Sequence, residues 1–225
     1  MRVSERLEVC LRYIQGFNVL YDIGTDHAYL PIAAIKRGLV RKAYAVDNKQ
    51  GPLESARNHI AHYHLEDRVI PILADGLAAL ENDVDVVTIA GLGGPLIARI
   101  LENCPTKTVR RLIVQTAVQV QAIRVLIDAG WCIVDETVIR EQDVYYTTVV
   151  FEVGAQTLNE QERAFGPMLL KKRPAVFLEQ LRHEAAYLRS LTATIPDLTA
   201  RARQSRRLHA IEEVLDERSN HTNIF

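Results

Sequence analysis

The stretch YDIGTDHAYLPIAA, residues 21–34, runs as an apolar strand into a glycine turn and then opens a helix. Asp22, Gly24, Asp26 and His27 stand within six positions, where a packed core would hold none of them. A strand that ends in acids and a glycine, followed at once by a helical period, is the first half of a βαβ unit. The rest of the chain is read outward from that unit.

From residue 18 to about 130 the pattern repeats. NVLYDI (18–23), KAYAVD (42–47), RVIPIL (68–73), VDVVTIA (84–90) and RRLIVQ (110–115) are short apolar runs that end at polar or glycine positions. Helical periods lie between them, at about 28–37, 53–64, 94–103 and 119–129. Strand and helix in alternation mean parallel strands joined by right-handed crossovers. The rule changes after Trp131. WCIVDETVI (131–139) and VYYTTVVFEV (144–153) are separated only by REQD, which makes a hairpin and adds an antiparallel pair to the sheet. The expected fold class is α/β, a Rossmann-like class I methyltransferase sheet of five parallel strands plus a terminal antiparallel hairpin. A nicotinamide dehydrogenase would continue with another βαβ unit.

Composition shifts near Gly154. Residues 159–217 carry almost no strand signal. Phe177, Leu181, Leu188, Leu191 and Ile195 fall on one helical stripe. TIPD (194–197) interrupts it, and Leu198, Ala202, Leu208, Ile211 and Leu215 form a second stripe. The reading is a domain over 1–154 and a C-terminal antiparallel helical hairpin, a coiled coil, over 155–225. SNHTNIF, at the end, reads as a loose tail.

The whole chain has 225 residues, 48% of them hydrophobic, with 27 Lys plus Arg against 28 Asp plus Glu. No global basic field points to nucleic acid. The start, MRVSERLEVC, lacks the apolar run of a signal peptide, and no segment reaches membrane-span length. Cys10, Cys104 and Cys132 are odd in number and form no CxxC pair, so they read as reduced packing thiols of a cytoplasmic protein. HIAHYH (59–64) places His59 and His62 on one helical face without a third ligand, so no metal is expected.

Ligands of an open parallel sheet bind at the carboxyl ends of its strands. The first strand end supplies Asp22, Gly24, Asp26 and His27; the second supplies Asp47 and Asn48. The third supplies Asp75 and Gly76, and the fourth Ala90, Gly91 and Gly93. Gly24 permits close backbone approach, and Asp47 follows 23 residues later, a spacing that suits two ribose hydroxyls. A pyrophosphate would want a full G-x-G-x-x-G, whereas GTDHAY has one glycine followed by a carboxylate. An acid there tolerates a sulfonium and an ammonium group, so S-adenosylmethionine fits better than NAD.

DIGTDHAYLPI, NKQGPLESARNHI, ADGL and IAGLGGPLIARIL, in this order, resemble the TrmK family, bacterial tRNA (adenine-N1)-methyltransferases that act on the adenine at position 22, in the D-arm. The resemblance covers nearly the whole chain. It implies a tRNA partner, a cofactor loop at Gly24 and Asp26, ribose recognition by Asp47, and adenine-side contacts at Asp75 and Gly76. Gly91 and Gly93 would border the methyl group and the target base. The chain departs from the family pattern at Gln115-Thr116-Ala117, where Gln-Pro-Asn is common, and at Leu92, where Met is common. Alternatives of other kinds are a same-fold methyltransferase for a small molecule or protein, and a non-catalytic RNA-binding protein.

Chemistry at the fourth strand agrees with a ring-nitrogen target. AGLGG has no amide to grip an exocyclic amine and no aromatic to stack on. N1 of adenine has a free lone pair and needs no prior deprotonation, so the site must instead meet positive charge arriving on the base. Asp26 is the first catalytic candidate; holding cofactor or capping the next helix is its other reading. His27 reads as a structural hydrogen-bonder. The Watson–Crick edge must be exposed for this reaction, so the RNA must be held while the base swings out. Residues 163–207 carry ten cations against three acids. Of these, Lys171, Lys172, Arg173, Arg182, Arg189, Arg201 and Arg203 are the expected phosphate contacts. A solvated coiled-coil face is the other reading of the same charges, and an N-terminal helix with Arg2, Arg6 and Arg12 is the other place for RNA. The chain is read as a monomer.

Overall fold

The computed structural model describes residues 1–81 and 83–216, so the expected loose tail lies outside the described residues. The chain divides into two compact units, Met1–Asn159 and Glu160–Phe225. The division falls five residues past the composition break at Gly154. The reason is local: Gln156 Oε1 accepts a 2.7 Å hydrogen bond from the Ile133 amide, and Leu158 is buried.

The first unit opens with α1 (Glu5–Ile14), whose Leu7, Cys10, Leu11 and Ile14 repeat at helical spacing and are buried. β1 (Val19–Ile23), β2 (Lys42–Asp47), β3 (Val69–Leu73), β4 (Val86–Ala90) and β5 (Arg111–Thr116) pair in parallel. β6 (Trp131–Glu141) and β7 (Val144–Val153) form the expected hairpin, and β7 pairs antiparallel with β5. The sheet order is β3-β2-β1-β4-β5-β7-β6, with the hairpin at one edge. β1 is buried at every position, which is why its residues are continuously apolar apart from Asp22.

The crossovers are α2 (Tyr29–Lys36), α3 (Gln50–His62), α4 (Gly94–Leu101) and, between β5 and β6, Val120–Ala129. The last is a 3₁₀ helix and not the α-helix that its periodicity suggests. It is anchored by an ion pair that the sequence pattern hides: Arg124 Nε and Nη2 both donate to Glu136 Oε1, at 3.1 and 2.9 Å, with both side chains almost fully buried. The chain leaves β1 toward β2 and β3 on one side and places β4 and β5 on the other. β1 and β4 therefore flank the switch point at which a crevice must open.

The second unit holds two short helices, α5 (Glu160–Phe165) and α6 (Pro167–Lys172), and then α7 (Ala175–Thr192) and α8 (Leu198–Asp216). Phe177, Leu181 and Leu188 of the first expected stripe are buried on α7, and Ile211 of the second is buried on α8. The two helices pack together as the expected hairpin. Asp197 starts α8, with Oδ1 accepting from the Ala200 amide at 2.6 Å. No described helix is long and apolar enough to cross a membrane.

Candidate active site

β1 delivers Asp22 as its fourth residue, so its side chain is carried by a buried strand and is only 5% exposed. Thr88 of β4 donates a 2.5 Å hydrogen bond to Asp22 Oδ1. Burial pushes the Asp22 carboxyl up to about 6, against the opposing pull of its hydrogen bonds and of Arg6. Beyond it, the amides of Gly24 and Thr25 both donate to the Val46 carbonyl, at 2.8 and 3.0 Å, which folds the loop over the end of β2. Gly24 has φ +72°, a left-handed conformation that a side chain would strain.

His27 and Ala28 are also left-handed, at φ 56° and 54°. Each costs free energy that the surroundings must offset. Part of the hold comes from His59, whose Nδ1 lies 3.1 Å from the His27 carbonyl oxygen. The rings of His27, Tyr29 and His59 gather at centroid distances of 5.1–5.4 Å. Asp26 is exposed, with Oδ1 3.2 Å from His27 Nε2. Ala28 is the residue that precedes α2, and no side chain caps that helix, so capping does not account for Asp26.

At the end of β2, Asp47 Oδ1 accepts from the Lys49 amide at 2.8 Å. Asn48 Nδ2 reaches Asp75 Oδ1 at 3.4 Å, joining the second and third strand ends. Gly76, at φ +55°, has its carbonyl bonded by the Tyr21 hydroxyl at 3.3 Å, and a Cβ there would stand 3.1 Å from Ile100. Gly91 leaves β4 at φ +104°, with its amide on the Gln115 carbonyl at 3.1 Å, and Gly93 precedes α4. Gly94 is the glycine of this turn with the strictest need: a Cβ on it would sit 2.2 Å from the Gln119 carbonyl oxygen.

The ends of β1 and β4 meet in a cavity of about 390 Å³, lined by Asp22, Gly24, Asp26, Tyr29 and Ala90, and by Ser4 and Arg6 near the start of the chain. The volume lies in the range of small-ligand sites. Asp47, Asp75 and Gly76 lie outside that cavity, at the neighbouring strand ends. The features that sequence reading passed over are Tyr29, Ser4 and the placement of Arg6. Tyr29, 40% exposed, adds an aromatic ring to the lining of this cavity. Its only signal in the sequence was proximity to Asp26.

The expected RNA contacts all lie in the second unit. Lys171, Lys172, Arg182 and Arg203 are exposed. Arg173 Nη2 donates to the Val214 carbonyl at 2.7 Å, Arg189 pairs with Glu212 at 2.7 Å, and Arg201 donates to the Ile195 carbonyl. Arg189 and Arg201 are exposed as well, and Arg173 is half-buried. His62 packs edge-on to Tyr63, and among the described residues no group of three or more His, Cys, Asp or Glu side chains is placed to hold a metal ion. The three cysteines are free; burial pushes Cys10 and Cys104 up to about 12.

Comparison with known proteins bears on this geometry. The family model TrmK, tRNA (adenine(22)-N(1))-methyltransferase, matches residues 20–217. The tRNA (adenine(22)-N(1))-methyltransferase of Bacillus subtilis (strain 168) is 32% identical over 206 residues, covering 85% of this chain and 84% of its own. The crystal structure of Streptococcus pneumoniae Sp1610 in complex with S-adenosyl-L-methionine superposes with a TM-score of 0.88 at 37% identity, over 95% of this chain and 100% of that one. M. capricolum TrmK in complex with S-adenosyl-homocysteine gives 0.88 at 28% identity, over 96% and 99%. Strand order, strand-end residues and a match over nearly the full length agree: the chain belongs to the TrmK family of tRNA (adenine(22)-N(1))-methyltransferases.

Proposed function

We propose that the chain carries out its family's reaction, methyl transfer from S-adenosylmethionine to N1 of adenine 22 of tRNA, in the crevice between the ends of β1 and β4. The observation that carries the assignment of residues is the convergence of Asp22, Gly24, Asp26 and Ala90 on one cavity. That donor set suits the cofactor. Two carboxylates line the wall where a sulfonium and an ammonium would lie, and a glycine gives the close approach. Asp47 and Asp75, on adjoining strand ends, would hold the ribose and the adenine side. Bound there, the cofactor supplies an electrophilic methyl group.

The protein's own groups do the rest. Asp22 is buried, so its carboxylate favours a cationic neighbour. Asp26, exposed at the rim, faces the positive charge that methylation leaves on the base, and N1 needs no base to activate it. Tyr29 offers the swung-out adenine an apolar ring face. Lys171, Lys172, Arg182 and Arg203 of the second unit are proposed phosphate contacts. The protein is proposed to act as a monomer and without a metal ion.

The test is mass spectrometry of nucleosides from tRNA incubated with the protein and isotopically labelled cofactor. Label is expected in 1-methyladenosine, and loss of the signal is expected when adenine 22 is replaced. Label in N6-methyladenosine, or none in tRNA while a small molecule or protein accepts it, would refute the reading.

A further inference from the structure

The helix that follows Asp47 reaches back to the first strand end through a histidine. His59, in the last turn of α3, places Nδ1 3.1 Å from the His27 carbonyl oxygen. A carbonyl only accepts, so His59 carries its hydrogen on Nδ1 and donates it. The bond lands on the first of two consecutive left-handed residues, His27 at φ 56° and Ala28 at φ 54°. The next residue is Tyr29, which lines the cavity. The His59 ring lies 5.1 Å from the Tyr29 ring and 5.2 Å from that of His27. The His27 and Tyr29 rings stack at 5.4 Å, with 26° between their planes.

Left-handed backbone at residues other than glycine persists only where the surroundings over-determine it. Released, residues 27 and 28 would relax, and the Tyr29 ring would turn with the backbone that carries it. An exposed tyrosine left to itself samples several rotamers. A neighbouring ring at contact distance removes that freedom. His59 supplies both restraints, a hydrogen bond behind the loop and a ring against the tyrosine. It stands against the one aromatic ring among the described residues that line the cavity. HIAHYH (59–64) thereby gains a role other than metal binding.

We propose that His59 is a positioning residue for methyl transfer: it sets the Tyr29 ring in the attitude that receives the swung-out adenine. This rests on the proposed function, in which Tyr29 offers that base its ring face. His59 itself is not among the residues that line the cavity, so its effect passes through Tyr29. The reaction then depends on the far end of α3, an element that the strand-end pattern leaves out.

The experiment is a double-mutant cycle on the full chain, read by single-turnover methylation of tRNA at saturating S-adenosylmethionine. His59→Ala is expected to lower the rate about 10- to 100-fold, as a misplacement of about 1 Å does. Tyr29→Ala should lower it at least as much. Because His59 acts through Tyr29, adding His59→Ala to Tyr29→Ala should cost less than about twofold more. His59→Gln, which keeps a donor for the His27 carbonyl, should recover part of the rate, and His59→Phe, which keeps a ring, another part. An unchanged rate in His59→Ala would overturn the proposal. So would losses that multiply in the double variant, because they mark a role in stability alone or a route that bypasses Tyr29. If His59→Ala does not fold, His59→Gln and His59→Phe, each crossed with Tyr29→Ala, carry the same comparison. Tyr29→Ala at the native rate, or a native protein that leaves tRNA unmethylated, would refute the reading on which this rests, and both differ from losses that multiply.

Discussion

Thr88 Oγ1 donates a 2.5 Å hydrogen bond to Asp22 Oδ1, and the two residues are direct partners in the register of β4 against β1. The bond crosses the switch point of the sheet, so the two strands that flank the crevice are joined by the side chain that forms its floor. A carboxylate in such a place is kept by its neighbours at the expense of solvation.

This sets a pH dependence. The Asp22 carboxyl is raised from 3.8 to about 6 by burial. Between those values the folded state holds a proton that the unfolded chain has released, so this group's contribution to stability falls as pH rises from about 4 to 6. At neutral pH, Asp22→Asn should therefore raise the melting temperature of the ligand-free protein, with an upper bound of about 3 kcal/mol. Cofactor affinity should move the opposite way. It should weaken in the native protein as pH drops through about 6, because a cationic ligand needs the ionised acid, and Asp22→Asn should be weak at every pH. Thermal melts and calorimetry across pH 5–8 check both signs.

Asp47 is half-buried at the end of β2 and keeps one carboxylate oxygen on the Lys49 amide. Asp47→Ala is expected to weaken cofactor binding more than tenfold with little change in fold, since a charge-assisted hydrogen bond is worth about 1.5–3 kcal/mol. Unchanged affinity by calorimetry would move the ribose elsewhere.

Asp26 carries no cap and stands exposed at the rim. If it stabilises charge on the base, Asp26→Asn should lower the single-turnover methylation rate about 10- to 1000-fold, far more than it weakens S-adenosylhomocysteine binding. Equal losses in rate and affinity would make Asp26 a cofactor ligand only.

For the RNA, four exposed cations of the second unit are the ones to remove. Replacing Lys171, Lys172, Arg182 and Arg203 with Ala should weaken tRNA binding and flatten its dependence on salt, by roughly 0.7–0.9 in the log–log slope for each phosphate that is no longer neutralised. Cofactor affinity should not change. Filter binding at several salt concentrations reads the slope, and an unaltered slope would return RNA recognition to the N-terminal helix.

Two glycines give opposite expectations for Ala. At Gly94 a Cβ would overlap the Gln119 carbonyl, at 2.2 Å. Gly94→Ala should destabilise the protein by about 1–3 kcal/mol, since backbone must shift. Gly51 lies inside α3 with open space around it, so Gly51→Ala should stabilise by about 0.4–1 kcal/mol. Urea unfolding of both variants tests the contrast.

What the sequence determined by itself is what depends on local periodicity. The seven strands were legible because buried parallel strands need largely apolar runs, as in VLYDI and VVTIA, and the β6–β7 hairpin because REQD is too short for a crossover. The residues of the cleft at the four strand ends were legible for the same reason: polar and glycine residues at those ends have no place in a core.

Only the tertiary structure decided what depends on distance through space. Val120–Ala129 is a 3₁₀ helix whose leading residues 118–119 lie against Gly94 of α4, and no period within the segment records either fact. Arg124 and Glu136 look like solvated charges in the sequence, and the packing of one helix face on β6 turned them into a buried pair. Arg6 lies 109 residues from Gln115 and 16 from Asp22. The sheet order, with β1 beside β4 and β5 beside β7, brought Arg6 and Asp22 to one cavity and set Gln115 behind the Arg6 backbone. Arg6 Nη1 is buried there with no hydrogen bond among the described residues. That is a property of the meeting, because a missing acceptor is defined by every group that could have supplied one.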